Sequence, residues 1–93
     1  MNEIFLDGCS MTSKETAHTY IKERLNFPPY YGDNLDALWD ILTTYSNTIS
    51  IYLINEEALN NNLGEYGKLL KGGFQDAAYE NENIHFAVLT EEN

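Results

Sequence analysis

Three short apolar runs, separated by long stretches with helical periodicity, constrain the fold of this chain more than any other feature. The runs cover residues 4–6, 49–54 and 84–89. Each run is too short for a stable helix, which favours a strand. The stretches between them are long enough for the helical crossovers that join parallel strands. The element order β, α, α, β, α, α, β therefore predicts an α/β fold with a small three-stranded parallel sheet packed against helices.

The central run alternates little between apolar and polar residues. Residues 49–54 read Ile-Ser-Ile-Tyr-Leu-Ile. Such a pattern is typical of a strand that is covered on both faces in a parallel sheet. We therefore predict that both faces of this strand are covered.

The first helical stretch has a start signal and a stop signal. Thr12 followed by Glu15 fits a capping box, which predicts a helix over residues 13–25. Pro28 and Pro29 prevent its continuation, because neither has an amide hydrogen to donate. A loop is expected to run from there to the second helix.

The second helix has the strongest pattern in the chain. Asp33 or Asn34 can cap it, and Asp36 in its first turn is favoured by the helix dipole. We expect Gly32 to permit the turn into this helix. The apolar stripe of the helix consists of Leu35, Leu38, Leu42 and Tyr45.

Two further helices are expected before the last strand, over residues 56–62 and 65–81. Gly72 and Gly73 lie in the middle of the longer one, where each costs about 1 kcal/mol relative to alanine. The pattern leaves open whether this helix bends or breaks there. The acidic tail, residues 91–93, is expected to be frayed.

Length and composition predict one domain, residues 1–93, with one modest core. Hydrophobic residues form 43% of the chain, which is enough for folding despite a formal net charge of −10. A field of this sign repels phosphate backbones and anionic lipids, so we expect no direct binding to nucleic acid or to membranes. Cys9 is the single cysteine, and the sequence has no recognisable leader or apolar span, which predicts a cytoplasmic protein.

The charges are distributed unevenly along the chain. Residues 25–67 contain six acidic residues and no Lys or Arg, and residues 72–93 contain five acidic residues and again no Lys or Arg. On the second helix, Asp36 and Asp40 lie four residues apart without a basic neighbour, and Trp39 stands beside them. A solvated acidic face and a binding surface with an aromatic anchor both fit this arrangement.

Paired carboxylates also occur in enzymes, so a catalytic role for Asp36 and Asp40 has to be considered. Both are expected on an exposed helix face, where strong pKa tuning is not expected. No phosphate-binding loop, nucleophile motif or metal-ligand spacing accompanies them, and His18 and His85 stand alone. The residues therefore favour a binding protein with no catalytic residues, metal or cofactor, and a small hydrolase is the competing class.

The segment from Tyr30 to Asp40 reads Tyr-Tyr-Gly-Asp-Asn-Leu-Asp-Ala-Leu-Trp-Asp, and Leu42 and Thr43 follow it. This string closely resembles the hallmark of the barstar family of intracellular inhibitors of the secreted bacterial ribonuclease barnase. The order of elements resembles that family over nearly the whole chain. The resemblance implies the same parallel α/β fold that the residue pattern predicts.

The resemblance also implies a function. The second helix and the loop before it would plug the active site of a basic, barnase-like ribonuclease in a 1:1 complex, and the free protein would be a monomer. Asp40 would occupy the place of the substrate phosphate, and Asp36 would meet a basic side chain nearby. The implied contact residues are Tyr30, Gly32, Asn34, Asp36, Trp39, Asp40, Thr43 and Asp76. Asp76 matches a position at which barstar has a glutamate.

An alternative within the same fold is an immunity or antitoxin protein directed against a different nuclease, either an unrelated ribonuclease or a DNase. The sequence does not identify the cognate nuclease. Tyr45 stands where barstar has a tryptophan, which leaves that peripheral contact open.

Overall fold

The computed structural model describes residues 2–90, and their elements follow the predicted order. A single 3-10 turn, Gly8–Ser10, follows the first strand. The strands and helices in chain order are β1 (Asn2–Asp7), α1 (Lys14–Leu25), α2 (Leu35–Thr43), β2 (Ile49–Ile54), α3 (Glu56–Leu63), α4 (Glu65–Glu80) and β3 (Ile84–Val88). The tail that was expected to be frayed, residues 91–93, lies outside the described residues.

The sheet has the strand order β1-β2-β3, and both pairings are parallel, which confirms the predicted α/β architecture. Ile51 of β2 lies beside Ile4 of β1 on one side and beside Phe86 of β3 on the other. This register places apolar side chains in rows across one face of the sheet. Eight strand residues contribute to the hydrophobic core: Ile4, Leu6, Ile49, Ile51, Leu53, Ile84, Phe86 and Val88.

The prediction that β2 is covered on both faces is only partly right: helices cover one face, and on the other face Ser50 is buried and Tyr52 is half-buried. All eight core residues of the strands lie on the same face, and helical residues complete the cluster on that side. On the opposite face, Phe5 and Ala87 flank Tyr52, and both flanking residues are exposed. The ring of Tyr52 stacks on that of Phe5 with centroids 5.2 Å apart. Neighbouring strands therefore half-bury Tyr52 without a second layer of helices, which explains why the sequence of β2 resembles that of a fully covered strand.

The start of α1 differs from the prediction by one residue. Ser13 caps the helix rather than Thr12, because the Ser13 hydroxyl accepts a hydrogen bond from the Thr16 amide at 3.1 Å. Serine and threonine are both good caps, so adjacent capping residues left this boundary ambiguous. The buried face of the helix agrees with the predicted spacing, since Ala17, Ile21 and Leu25 are in the core.

Helix α4 continues without a break through Gly72 and Gly73, which answers the question that the sequence left open. A Cβ atom added at either glycine would meet nothing within 4 Å, so neither glycine is required by close packing within the described chain. Phe74 and Ala77 on the next turn are buried and hold the helix against the core. Tertiary burial therefore overrides the low helix propensity of the glycine pair.

Helices α2 and α4 lie side by side and run in the same direction. At one end, Tyr31 before α2 and Tyr66 in the first turn of α4 both hydrogen-bond to His18 of α1. At the other end, the Asn81 side chain, just after α4, donates to the Leu42 carbonyl of α2 at 2.8 Å. No helix between residues 2 and 90 is both long and apolar enough to cross a membrane.

The glycine pair of α4 gives a test of this packing. Gly73→Ala should raise the free energy of unfolding by up to about 1 kcal/mol, because alanine is the better helix former and the added methyl group meets no atom. Gly8→Ala is the contrasting variant, since its Cβ would lie 2.2 Å from the Asn55 carbonyl oxygen. That variant should lose about 1–3 kcal/mol or more. Urea denaturation measures both, and a destabilised Gly73→Ala protein would contradict the described packing of α4.

Candidate functional site

The N-terminus of α2 is built by Asn34, one of the two caps that the sequence allowed. Its side-chain oxygen accepts a hydrogen bond from the Ala37 amide at 2.8 Å, and its side-chain nitrogen donates to the Gly32 carbonyl at 3.0 Å. Asp33 precedes it with a φ of 54°, a left-handed conformation that aspartate tolerates better than most residues. The Asn34 side chain therefore connects the first turn of α2 to the loop before it by hydrogen bonds.

Gly32 permits the turn into α2 through its small size and not through an unusual backbone angle. The left-handed residue in this turn is Asp33, so Gly32 is not required for an unusual backbone angle. A Cβ atom at Gly32 would lie 3.3 Å from the Asn34 side-chain nitrogen and 3.4 Å from the Ala37 Cβ. Gly32 therefore leaves the space that the Asn34 cap occupies.

The surface of α2 separates into two faces, as the helical wheel predicts. Leu38 and Leu42 are buried, whereas Asp36 and Asp40 are exposed. The Trp39 side chain is 36% exposed at the boundary between these faces. An indole at such a boundary offers a rigid apolar surface beside two carboxylates.

Thr43 closes the last turn of α2 and is half-buried. Its hydroxyl donates to the Trp39 carbonyl at 2.8 Å, four residues earlier. The hydroxyl is thus engaged by the helix itself in the free protein. It remains available as an acceptor, because a hydroxyl oxygen has two lone pairs.

The two tyrosines of the loop before α2 point in opposite directions. Tyr30 is 84% exposed, whereas Tyr31 is buried with its ring centroid 5.1 Å from that of Phe27. Burial raises the pKa of Tyr31 well above its ordinary value, and the nearby Asp33 adds to the effect. The structure thus places Tyr31 in the core and Tyr30 on the surface.

Asp76 is exposed on α4, the helix that lies beside α2. Lys71 on the same helix forms an ion pair with Glu56 of α3, which fixes the side of α4 that faces α3. Asp76 is five residues further on and therefore about 140° around the helix axis, away from α3. The exposed Asp76 carboxylate therefore lies on a side of α4 that does not face α3.

Within residues 2–90, the Lys71–Glu56 contact is the ion pair that the structure contains. Asp36, Asp40 and Asp76 therefore have no cationic partner inside the described part of the chain. The same part contains no group of three or more His, Cys, Asp or Glu residues that could hold a metal ion. The carboxylates are consequently free to bind positively charged groups of another molecule.

Asn81 is a supporting residue that sequence reasoning missed. Its side-chain nitrogen donates to the carbonyl of Leu42, in the last turn of α2, at 2.8 Å and to that of Tyr45, just beyond the helix, at 3.0 Å. An asparagine after a helix suggests a turn, but its partners lie about 40 residues away in sequence, with separations of 39 and 36. No local signal in the sequence reveals such a contact.

Comparison with known proteins gives two findings. The family model described as Barstar (barnase inhibitor) matches residues 1–91. A curated relative named "Putative ribonuclease inhibitor YrdF", from Bacillus subtilis (strain 168), is 40% identical over 81 residues, which cover 86% of this chain and 89% of the relative. The family model extends over the sheet, α2 and α4, and so over all of the surface described above.

Removal of the Asn81 side chain should loosen the end of α2. We expect Asn81→Ala to lower the free energy of unfolding by about 1–2 kcal/mol, because two hydrogen bonds between elements are lost. Asn61→Ala is the matched control, since Asn61 is exposed on α3, and it should change stability by less than about 0.5 kcal/mol. Equal urea midpoints for the two variants would show that Asn81 does not hold α2 in place.

Proposed function

The chain belongs to the barstar family, and on that basis we propose that it is a stoichiometric protein inhibitor of a barnase-like ribonuclease, blocking the active site with α2 and the loop before it. Family membership and the name of the Bacillus subtilis relative support inhibition of a ribonuclease over inhibition of a DNase. The proposal adds the partner, the surface and the mechanism.

One observation carries this proposal. Asp36 and Asp40 are exposed on one rigid helix, and no cation within residues 2–90 neutralises them. The active site of a ribonuclease holds cationic groups that bind the RNA phosphate, and these groups repel one another when no RNA is bound. A carboxylate delivered by a helix can accept charge-assisted hydrogen bonds from them, yet it offers no phosphodiester to cleave.

The proposed roles follow from where each side chain lies. Asp40 takes the place of the phosphate, and Asp36, one turn closer to the helix N-terminus, meets a second cation. Tyr30 and Trp39 flank the carboxylates and supply contact area that excludes water. The complete proposed surface is Tyr30, Gly32, Asn34, Asp36, Trp39, Asp40, Thr43 and Asp76.

Inhibition by this surface requires no catalysis, metal or cofactor. Exposed carboxylates such as Asp36 and Asp40 lack the desolvated environment that tunes a general acid or base. We therefore propose a non-enzymatic protein that is monomeric when free and forms a 1:1 complex. Cys9 is a free, exposed thiol, and this fits the cytoplasmic location that we propose, since thiols persist in a reducing compartment.

Titration of a barnase-like ribonuclease with this protein tests the proposal. RNA cleavage should fall linearly with added protein and reach its minimum at one equivalent. A DNase and a ribonuclease of unrelated fold serve as comparison enzymes and should keep their activity. Inhibition of either comparison enzyme in place of the barnase-like one would identify a different target, and turnover of any substrate by the protein alone would favour a hydrolase.

The phosphate-mimicking role of Asp40 predicts a large local effect. Asp40→Asn should weaken inhibition by at least about 100-fold. An effect of this size is typical when one member of a desolvated charge pair is removed, and measurements on barnase and barstar are among those that established it. Glu57→Gln on α3 is the control with the same change in net charge. Glu57→Gln should leave the inhibition constant nearly unchanged, so the constants of the two variants should differ by about 100-fold. Equal constants would refute the assigned surface.

The net charge of −10 predicts steering of association with a basic partner. The association rate constant should fall by about tenfold or more between low salt and 0.5 M salt, because added ions screen the attraction. The dissociation rate should change much less, since contacts inside the interface are poorly screened. Stopped-flow mixing measures both rates, and an association rate that is independent of salt would contradict electrostatic steering.

A further inference from the structure

His18 joins three parts of the fold at one buried point. The side chain lies on α1 and is only 1% exposed. Its Nδ1 atom is 2.7 Å from the hydroxyl of Tyr31, in the loop before α2, and its Nε2 atom is 2.6 Å from the hydroxyl of Tyr66, on α4. The imidazole is thus the link between α1, this loop and α4.

Both ring nitrogens of His18 are satisfied when the ring is neutral. A neutral imidazole donates from one nitrogen and accepts at the other, and a tyrosine hydroxyl can play either part. Burial raises the pKa of both Tyr31 and Tyr66, so both phenols keep their protons. The arrangement is therefore a closed set of hydrogen bonds with no unpaired buried polar side-chain atom in the described residues.

The loop end of this link lies next to the proposed docking surface. Tyr31 is followed by Gly32 and lies three residues before Asn34, the cap of α2. The Tyr31 amide also donates to the Pro28 carbonyl at 3.0 Å, which closes the turn that presents Tyr30 to solvent. A displaced Tyr31 would therefore disturb the loop before it disturbs the sheet.

We propose that His18 is a positioning residue, which holds the loop of residues 26–34 in its docking conformation through the hydroxyl of Tyr31. This inference rests on the proposed function, because it assigns His18 a role in presenting that surface. His18 can hold the loop without contacting the partner, because its side chain is buried.

Protonation of His18 should weaken this link. Burial lowers the pKa of His18, and the facing carboxylate of Asp33 partly opposes the effect. The other groups around the ring are the phenols of Tyr31 and Tyr66 and the Lys14 ammonium, which lies 4.8 Å from the centroid of the Tyr66 ring. Both phenol oxygens could accept a hydrogen bond from a protonated His18 ring. The charged form of His18 is therefore disfavoured because the buried ring has lost its hydration, not because it lacks acceptors.

The sign of the pH dependence follows from this shift. The ordinary pKa of a histidine side chain, 6.5, applies to His18 in the open or unfolded chain, and in the closed structure the pKa lies below that value. The link therefore contributes fully above pH 6.5 and is lost as the pH falls through the lower pKa of the closed form. Between the two values the opening constant of the loop should rise by at most about tenfold per pH unit.

Tyr31→Phe and Tyr66→Phe form a matched pair for the test, because each removes one hydroxyl from the same imidazole and keeps its ring. Both should lower global stability, measured from hydrogen exchange of the β2 amides. Only Tyr31→Phe should increase exchange of the position-31 amide beyond that global change. It should also weaken binding of a barnase-like ribonuclease by about fivefold, whereas Tyr66→Phe should not.

The pH profile provides a second readout. In the unsubstituted protein, exchange at position 31, corrected for the intrinsic rate, should increase as the pH falls from about 7 to about 5. His18→Gln should abolish this dependence, and His85→Gln should preserve it, because His85 is exposed on β3.

Equal effects of Tyr31→Phe and Tyr66→Phe on exchange at position 31 would overturn the positioning role, as would a pH dependence that survives in His18→Gln. The exchange measurements need no ribonuclease, so they separate this inference from the proposed function. If the loop responds as expected but Asp40→Asn binds ribonuclease normally, the docking surface is wrong and the role of His18 in holding the loop stands.

Discussion

Two carboxylates on successive turns of one helix repel each other, and the rest of this structure holds that helix in place. Asp36 and Asp40 lie four residues apart on α2, an arrangement that destabilises an isolated helix by a few tenths of a kcal/mol. The fold compensates at both ends of the helix, through the Asn34 cap and the Asn81 side chain. Leu38 and Leu42 compensate along its buried face. The repulsion is therefore retained in the folded protein.

One face of α2 packs against the core and the other carries the proposed docking side chains, and this division explains much of the architecture. The sheet is covered by helices on one face, and α2 packs beside α4 at the edge of that layer. The core fixes the backbone of α2, while its outward face carries side chains that make no ion pair within residues 2–90. A rigid helix loses little conformational entropy on binding, and preorganisation of this kind is what makes a small interface tight. The link from His18 to Tyr31 extends the same rigidity to the loop.

The sequence predicts those features that depend on neighbours in the chain. Periodicity located β2 and α2, the stripe of Leu38 and Leu42 identified the buried face, and the spacing of the three strands predicted the parallel sheet. The features that it missed depend on residues far apart. The partners of Asn81 and the two tyrosines on His18 come together only in the folded chain. The apolar character of β2 was misleading for a related reason, since a central strand in a small sheet is half-buried by its neighbours alone.

The central claim is that Asp40 occupies the phosphate site of a ribonuclease, and competition with a ligand of that site tests it most directly. The ligand is a mononucleotide that binds the phosphate site of a barnase-like enzyme and is not cleaved. The apparent dissociation constant of the inhibitor should rise linearly with the mononucleotide concentration and double when that concentration equals the nucleotide's own dissociation constant. An apparent dissociation constant that does not change when the enzyme is saturated with mononucleotide would contradict the claim, because both molecules would then bind at once.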